Sequence, residues 1–362
     1  MSIILHHVVI HELVKEQHES IQDPVIKEQT LPTANATIKK LVNGIVDLYG
    51  KKDSSAQYGV FRTGDSRGRF PEAFDAYKKG NATVEEFLNV TKVAMNELYS
   101  KAESQSSSSG GYILFADYEY KGNRFFLAAM VKQKPGYKIT GELKVEDLEY
   151  IDLNRLHQAA KINFNKFDVF NNADEVERND INYLSFVSPR NNQKTAGYFI
   201  LAFGCKAGAP SAKATQAVVR ESVAFFKAND VLSDCANDLS KRLYEYLDRK
   251  HVSGEPAKLS EVEKIARDFF PADEADDLAE KLVAHLNSEE VAVPNEFSVN
   301  KTKLYSMSHI VYKSDDFHVT LDKGDIGQNE DARFYYDGSK LVLQDLPDDF
   351  KEMLDAHFQQ EN

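Results

Sequence analysis

"GGYILFADYEYKGNRFFLAAMVKQ", residues 110–133, holds two apolar runs separated by Lys121-Gly122-Asn123. Two runs of this kind, rich in Ile, Leu, Phe, Tyr and Val around a short Gly-containing loop, predict a β-hairpin. The hairpin opens a sheet, and the rest of the chain is read outward from it. "SQSSSSGG" (Ser104–Gly111) predicts a flexible connection into its first strand. The segment before that connection offers two helices and one strand. That is too little to cover its own apolar faces, so it is expected to pack on the sheet.

Ile3–Ile10 reads as the strand. Thr33–Tyr49 reads as a helix with Ile38, Leu41, Val42, Ile45 and Tyr49 on one face and Gly50 placed to end it. Thr83-Val-Glu-Glu86 is a capping-box pattern, followed by Phe87, Leu88, Thr91, Met95 and Leu98 at helical spacing. Downstream of the hairpin, "KINFNKFDVF" and "NYLSFVS" read as strands. Gly197–Phe203 fits either a strand or a short buried helix. Ala212–Lys227 and the segment around Leu239–Leu247 read as helices. In the last third, Ser260-x-x-Glu263 offers a second capping box. Short strands are expected near Phe317–Leu321, Arg333–Tyr336 and Leu341–Leu343, and Pro347 opens a final helix bearing Phe350, Met353 and Leu354.

The chain has 362 residues and a formal charge of −13. That length favours two domains. Residues 1–250 carry 33 basic and 32 acidic side chains, a net +1; residues 251–362 carry 11 and 25, a net −14. With "RKHVSGEPAK" (Arg249–Lys258) as linker, the expectation is an α+β protein of two domains. Residues 1–250 form a mixed sheet-and-helix domain able to fold alone, and residues 251–362 form a smaller acidic α+β domain. The longest apolar run, "FFLAAMV" from Phe125, falls short of the ~20 residues of a spanning helix. No basic region precedes the apolar start, so no signal peptide is expected. Two cysteines, Cys205 and Cys235, make no disulfide framework and fit a reducing interior.

Several motifs are approached and not completed. His6, His7, His11 and His18 suggest a metal site, but a zincin helix needs a second His four residues after the first, and Lys15 stands where that would follow His11. "GCKAGAPSAKAT" sits where a phosphate loop would, but Ala209, Pro210 and Ser211 follow Gly208 in place of Lys and Ser/Thr; Ser211 is read as an N-cap. "DKGDIGQNED" (Asp322–Asp331) has calcium-loop composition broken by Ile326. "RTGDSRGR" (Arg62–Arg69) reads as a solvated loop. No catalytic or cofactor motif remains, so the reading is of a protein without enzymatic activity or cofactor.

Residues 188–227 are different, because they hold six Lys or Arg side chains and one acid, Glu221. On a helix, Lys213, Arg220 and Lys227 drift only about 20° per step and form one stripe. Val218, Val219, Val223, Phe225 and Phe226 fall opposite, and Glu221 lies at the stripe's edge. Arg190 and Lys194 are expected in a polar loop, "SPRNNQKT", and Lys206 in the turn before the helix. A cationic stripe beside Asn, Gln, Ser and Thr donors is what a phosphate-backbone track requires. The same stripe could dock an acidic protein surface, including the chain's own acidic third.

"YLSFVSPRNNQKTAGYFILAFGC", with "GGYILFADYEY", "YIDLNRLHQAAKIN", "LHHVVIHELV", "VPNEFSVNKTKLYSM" and "LPDDFKEML", resembles the bacterial nucleoid-associated protein family that includes NdpA and YejK. The resemblance spans nearly the whole chain as an ordered series of segments. It implies a cytoplasmic, nucleoid-associated protein able to bind double-stranded DNA, with RNA as a second candidate ligand. In the family the loop matching Arg190–Lys194 is basic; here Asn191, Asn192 and Gln193 separate its charges. The expected function is sequence-independent DNA association, with Arg190, Lys194, Lys206, Lys213, Arg220 and Lys227 contacting phosphates. The alternative is a protein–protein adaptor that acts on a DNA-processing enzyme and binds DNA only weakly itself.

Overall fold

The computed structural model describes residues 3–49, 56–64, 67–154, 156–178, 181–187, 193–207, 211–315 and 317–360. In chain order these form β1 (Ile4–Leu13), α1 (Ala36–Leu48), β2 (Ala56–Phe61), α2 (Phe70–Lys79), α3 (Val84–Glu103), β3 (Gly111–Tyr120), β4 (Asn123–Val131), β5 (Gln133–Ile139) and β6 (Val145–Ile151). Next come β7 (Gln158–Asn163), α4 (Phe164–Asn172), α5 (Glu175–Arg178), β8 (Leu184–Val187), α6 (Gln193–Ala202), β9 (Cys205–Ala207), α7 (Ser211–Lys227) and α8 (Ala236–Ser253). The remainder is β10 (Ala257–Lys258), α9 (Leu259–Arg267), α10 (Ala275–Leu286), β11 (Glu296–Phe297), α11 (Lys301–Ser308), β12 (His309–Lys313), β13 (His318–Asp322), β14 (Ile326–Gly327), β15 (Phe334–Tyr336), β16 (Leu341–Leu343) and α12 (Asp348–Gln360). The class is α+β, as the sequence implies.

The hairpin of residues 110–133 supplies the second and third strands of a seven-stranded sheet, ordered β1-β3-β4-β7-β8-β2-β9, in which every neighbour pair is antiparallel. Lys121 and Gly122 both take positive φ (50° and 77°), which matches the two-residue turn whose twist suits a hairpin. Both faces of the sheet are covered. Ile113, Phe115, Phe126 and Ala128 pack with α2, α3 and α6 on one side. Leu114, Ala116, Leu127 and Ala129 pack with Val42 and Ile45 of α1 on the other. Double coverage explains why these strands are continuous apolar runs rather than alternating ones.

The capping box forms as read: Thr83 Oγ1 accepts from the Glu86 amide (3.2 Å), and Glu86 Oε2 accepts from the Thr83 amide (2.8 Å). Other expectations are corrected. The strand in "KINFNKFDVF" stops at Asn163, whose side chain accepts from the Lys166 amide (2.9 Å) and starts α4 instead. Gly197–Phe203, open between strand and helix in the sequence, is resolved rather than corrected: it is helical over most of its length, with Tyr198, Phe199, Ala202 and Phe203 all buried at helical spacing. The Ser260–Glu263 box does not form: α9 begins at Leu259, and Glu263 binds Arg267 (3.0 Å) instead. The Ser-rich stretch is no loose tether, since Ser108 is fully buried and its hydroxyl donates to the Gln105 carbonyl (2.7 Å). Gly50 lies outside the described residues.

Of the expected linker, Arg249–Ser253 continues α8, and Gly254 ends that helix in the left-handed region (φ 70°). Leu239, Leu243 and Leu247 of α8, with Ala214, Val218 and Phe226 of α7, share one core with Leu259, Val262, Leu278, Leu282 and Leu286. The change of charge at residue 250 is therefore not accompanied by a break in packing.

His11, one of the four histidines considered for a metal, is a satisfied core side chain of β1, 1% exposed. Its Nδ1 accepts from the Lys27 amide (3.1 Å), which assigns the proton to Nε2 facing Thr91 Oγ1 (3.0 Å). Burial, with the Lys92 ammonium adding to it and Glu28 opposing, pushes the imidazole down from 6.5 to about 4. A depressed histidine leaves the folded state unable to take the proton that the unfolded chain binds as pH falls below 6.5. Stability is thus lost between pH 6.5 and about 4, by about 2 kcal/mol at pH 5. Urea titrations at pH 7 and 5 should show His11→Gln losing about 2 kcal/mol less than wild type between the two. Equal losses in both proteins would refute this origin.

Candidate nucleic-acid interface

Helix α7 is amphipathic in the sense the sequence sets. Ala214, Ala217, Val218, Val219 and Phe226 are buried in the helical core, Val223 and Phe225 are half-buried, and Arg220 and Lys227 are exposed with Lys213 half-exposed. Arg220 does not stand alone. Its Nε and Nη2 both approach Glu221 Oε1 (2.8 and 2.7 Å), and Glu221 Oε2 faces His285 Nε2 (3.3 Å). The ridge is therefore cationic at its two ends and locally neutralised at its centre.

The other expected residues are placed differently from one another. Lys194 lies in the first turn of α6 rather than in a polar loop, because the backbone is helical from Gln193. Lys206 lies within β9, paired with Val60 of β2, rather than in a turn. Arg190 is outside the described residues, as is the stretch that would show how Ser211 is capped. In the segment expected as a solvated loop, Arg62 Nε donates to the Cys205 carbonyl (2.8 Å), tying the end of β2 to β9.

Two lysines that sequence reasoning did not single out stand near the start of α7. Lys161 of β7 meets Glu289 Oε2 (2.8 Å) and lies 4.4 Å from the Tyr49 ring centre. Lys166 of α4 donates to the Glu289 carbonyl oxygen (2.6 Å), and Asn163 Nδ2 donates to Glu289 Oε1. Burial is the largest influence on both partners. It would raise the Glu289 carboxyl, but Lys161, Lys166 and Asn163 outweigh it and hold the group below the usual carboxylate range. Burial lowers Lys166, with Lys213 and Lys161 pushing the same way against Glu289. These groups border a cavity of about 280 Å³ that also takes in Tyr49, Tyr118 and Lys121. Lys161 and Lys166 form a cationic pair on this cavity, and the Lys213 charge acts on Lys166. No local spacing signals this, because β7, α4 and α7 are brought together only by the fold. Glu289 supplies the pair's main counter-charge.

The model of the family described as Nucleoid-associated protein YejK matches residues 9–351. A nucleoid-associated protein of Pseudomonas entomophila (strain L48) is 24% identical over 344 residues, covering 95% of this chain and 96% of that protein. One from Pseudomonas fluorescens (strain Pf0-1) is 22% identical over 352 residues, covering 97% and 98%. A third, from Pseudomonas putida (strain GB-1), is 24% identical over 346 residues, covering 95% and 96%. These matches run through the sheet, the helical core and the acidic segment alike, and the chain belongs to the YejK family of nucleoid-associated proteins.

Proposed function

We propose that this protein binds double-stranded DNA at the bacterial nucleoid, in the cytoplasm, through phosphate contacts and without sequence preference. The supporting observation is the outward face of α7, with Lys213, Arg220 and Lys227 spaced along it in a chain of a nucleoid-associated family. Arg190, Lys194 and Lys206 extend the proposed track upstream. Base reading requires Arg, Asn or Gln side chains carried into a groove. The first turns of α7 offer only Ser211, Lys213, Thr215 and Gln216, and Thr215 is buried with its hydroxyl accepting from the Asn300 amide (3.0 Å).

Log affinity should fall linearly with log salt. Replacing Lys213, Arg220 and Lys227 by Ala flattens the slope by about 0.9 for each phosphate no longer neutralised, about 2.7 if all three contribute. Because Glu221 holds the Arg220 guanidinium, Glu221→Gln should steepen the slope by up to about 0.9. A triple variant with unchanged slope and affinity removes these residues from the interface. The adaptor reading makes a contrary demand: weak binding to every duplex, with the partner enzyme held after nuclease treatment.

A further inference from the structure

The β3–β4 register runs out at the Tyr112–Val131 pair, which sets the residues just before β3 beside the residue just after β4. Ser109 and Lys132 meet there, with Lys132 Nζ 2.7 Å from Ser109 Oγ. Among the described residues neither side chain has another hydrogen-bond or ion-pair partner. Lys161 and Lys166 differ in this respect, because both approach the Glu289 carboxylate. Burial pushes the Lys132 ammonium down from its usual 10.5, with Glu16 opposing. The two residues stand on either side of a hairpin, so no short motif joins them in the sequence.

Both backbones are held in place. The Gly110 amide donates to the Lys15 carbonyl (2.7 Å), and the Asp152 amide donates to the Lys132 carbonyl (3.0 Å). A Cβ at position 110 would clash with the Leu13 carbonyl oxygen, so glycine is what lets the chain beside Ser109 come this close to β1. The pair borders a cavity of about 320 Å³ that also takes in Glu12, Leu13, Lys15, Glu16 and Tyr112. No described residue of the proposed phosphate track lines it.

We propose that Ser109 and Lys132 form a nucleophile–base pair, in which Ser109 takes the acyl group of a small uncharged or cationic ester. A serine hydroxyl is a weak nucleophile until a neighbouring base removes its proton. Here the unprotonated Lys132 amine accepts the Ser109 proton as Oγ bonds to the ester carbonyl carbon. The bond from that carbon to the alcohol oxygen then breaks, and the Lys132 ammonium gives its proton to the departing alkoxide. Serine–lysine pairs are a known variant of the Ser-His-Asp constellation, recognised by geometry and not by sequence position. Charge sets the substrate class. With Lys132 unprotonated, Glu12 and Glu16 outnumber Lys15 around the cavity, and their field disfavours an anionic acyl donor.

Labelling of the full chain with an uncharged alkyl fluorophosphonate tests the pair, read by intact mass and peptide mapping. The phosphonyl group should attach once, at Ser109, with loss of fluoride, and Ser109→Ala should stay unlabelled. Lys132→Arg keeps a hydrogen-bonding cation beside Ser109, but a guanidinium does not give up its proton. Its labelling rate should fall by about 100- to 10,000-fold, the usual contribution of a general base. Lys132→Met should show the same fall. A purely structural hydrogen bond would leave Lys132→Arg at the wild-type rate, and that result overturns the proposal. So does a wild type that is unlabelled or labelled elsewhere, which needs no variant to establish. Methyl para-acetoxybenzoate should acetylate Ser109 faster than para-acetoxybenzoate, each taken relative to its rate with hydroxide; equal ratios would overturn the substrate class.

Discussion

Glu289→Leu should cost about 3–5 kcal/mol of folding stability, the range for removing one partner of a buried ion pair. Lys161, whose side chain is 13% exposed, would then keep its charge without its carboxylate partner, and Lys166 and Asn163 would lose a group they share. The pair is valuable here because it joins two packing units. Glu289 comes from the turn after α10, whereas Lys161 and Lys166 come from the sheet and the helix beside it. Next to it, the Asn287 side chain accepts from the Ala56 amide (2.5 Å) and donates to the Ala56 carbonyl (3.0 Å), while Tyr58 donates to the Asn287 carbonyl (2.7 Å).

The double variant Lys161→Met with Glu289→Leu should recover most of the loss, since a well-packed apolar replacement of a buried pair is often neutral. The lysines hold the Glu289 carboxyl below its usual 4.5, so the stability it contributes is full above that value and lost as pH falls through the depressed one. Urea titrations at neutral and acid pH read both effects. A Glu289→Leu protein within about 0.5 kcal/mol of wild type, the scatter of ordinary surface changes, would remove this pair from any joining role.

Ending the chain at Lys250 should destroy the fold of α7 and α8. Seven large side chains there (Val218, Phe226, Leu232, Leu239, Leu243, Tyr246 and Leu247) rely on a core completed by α9, α10 and α11. At about 1.5–3 kcal/mol for each one uncovered, the loss matches or exceeds the roughly 5–15 kcal/mol that stabilises a folded protein. The fragment should aggregate or bind a hydrophobic dye, with its helical dichroism falling by more than its share of residues. A soluble, monodisperse fragment that unfolds cooperatively would show that residues 1–250 are self-sufficient, as the charge distribution alone suggests.

The elements legible in the sequence are those whose signal is local. The Thr83–Glu86 box, the hairpin around Lys121-Gly122 and the amphipathic α7 each declare themselves within one or two turns of chain. What local pattern fails to disclose depends on distant partners. Asn163 closes a strand and opens a helix at once, a double role fixed by packing against β4 and by Glu289. Strand β2 is short and carries no pattern of its own; its identity comes from pairing with β8 and β9. Ser260 and Glu263 have the right spacing for a cap, but the cap position falls two residues earlier, at Lys258, which pairs with Glu296 in a two-residue bridge. The candidate site divides in the same way. The spacing of Lys213, Arg220 and Lys227 is visible in the sequence, whereas the Glu221 clamp on Arg220 and the nearness of Lys166 to Lys213 exist only in three dimensions.

The strand order also sets a timetable for synthesis. β1, β3 and β4 can pair soon after they leave the ribosome, but β2 lies on the far side of the sheet, between β8 and β9. Residues 56–61 are made early, and their first partner, at residues 184–187, follows more than 120 residues later. At about 5–20 residues per second, that is a delay of roughly 6–25 seconds. Until then Tyr58 and Phe61, side chains that end up buried, have no native strand beside them, and the Asn287 cap on Ala56 arrives about a hundred residues later again. This nascent chain therefore carries an unpaired β-strand for about a third of its own translation.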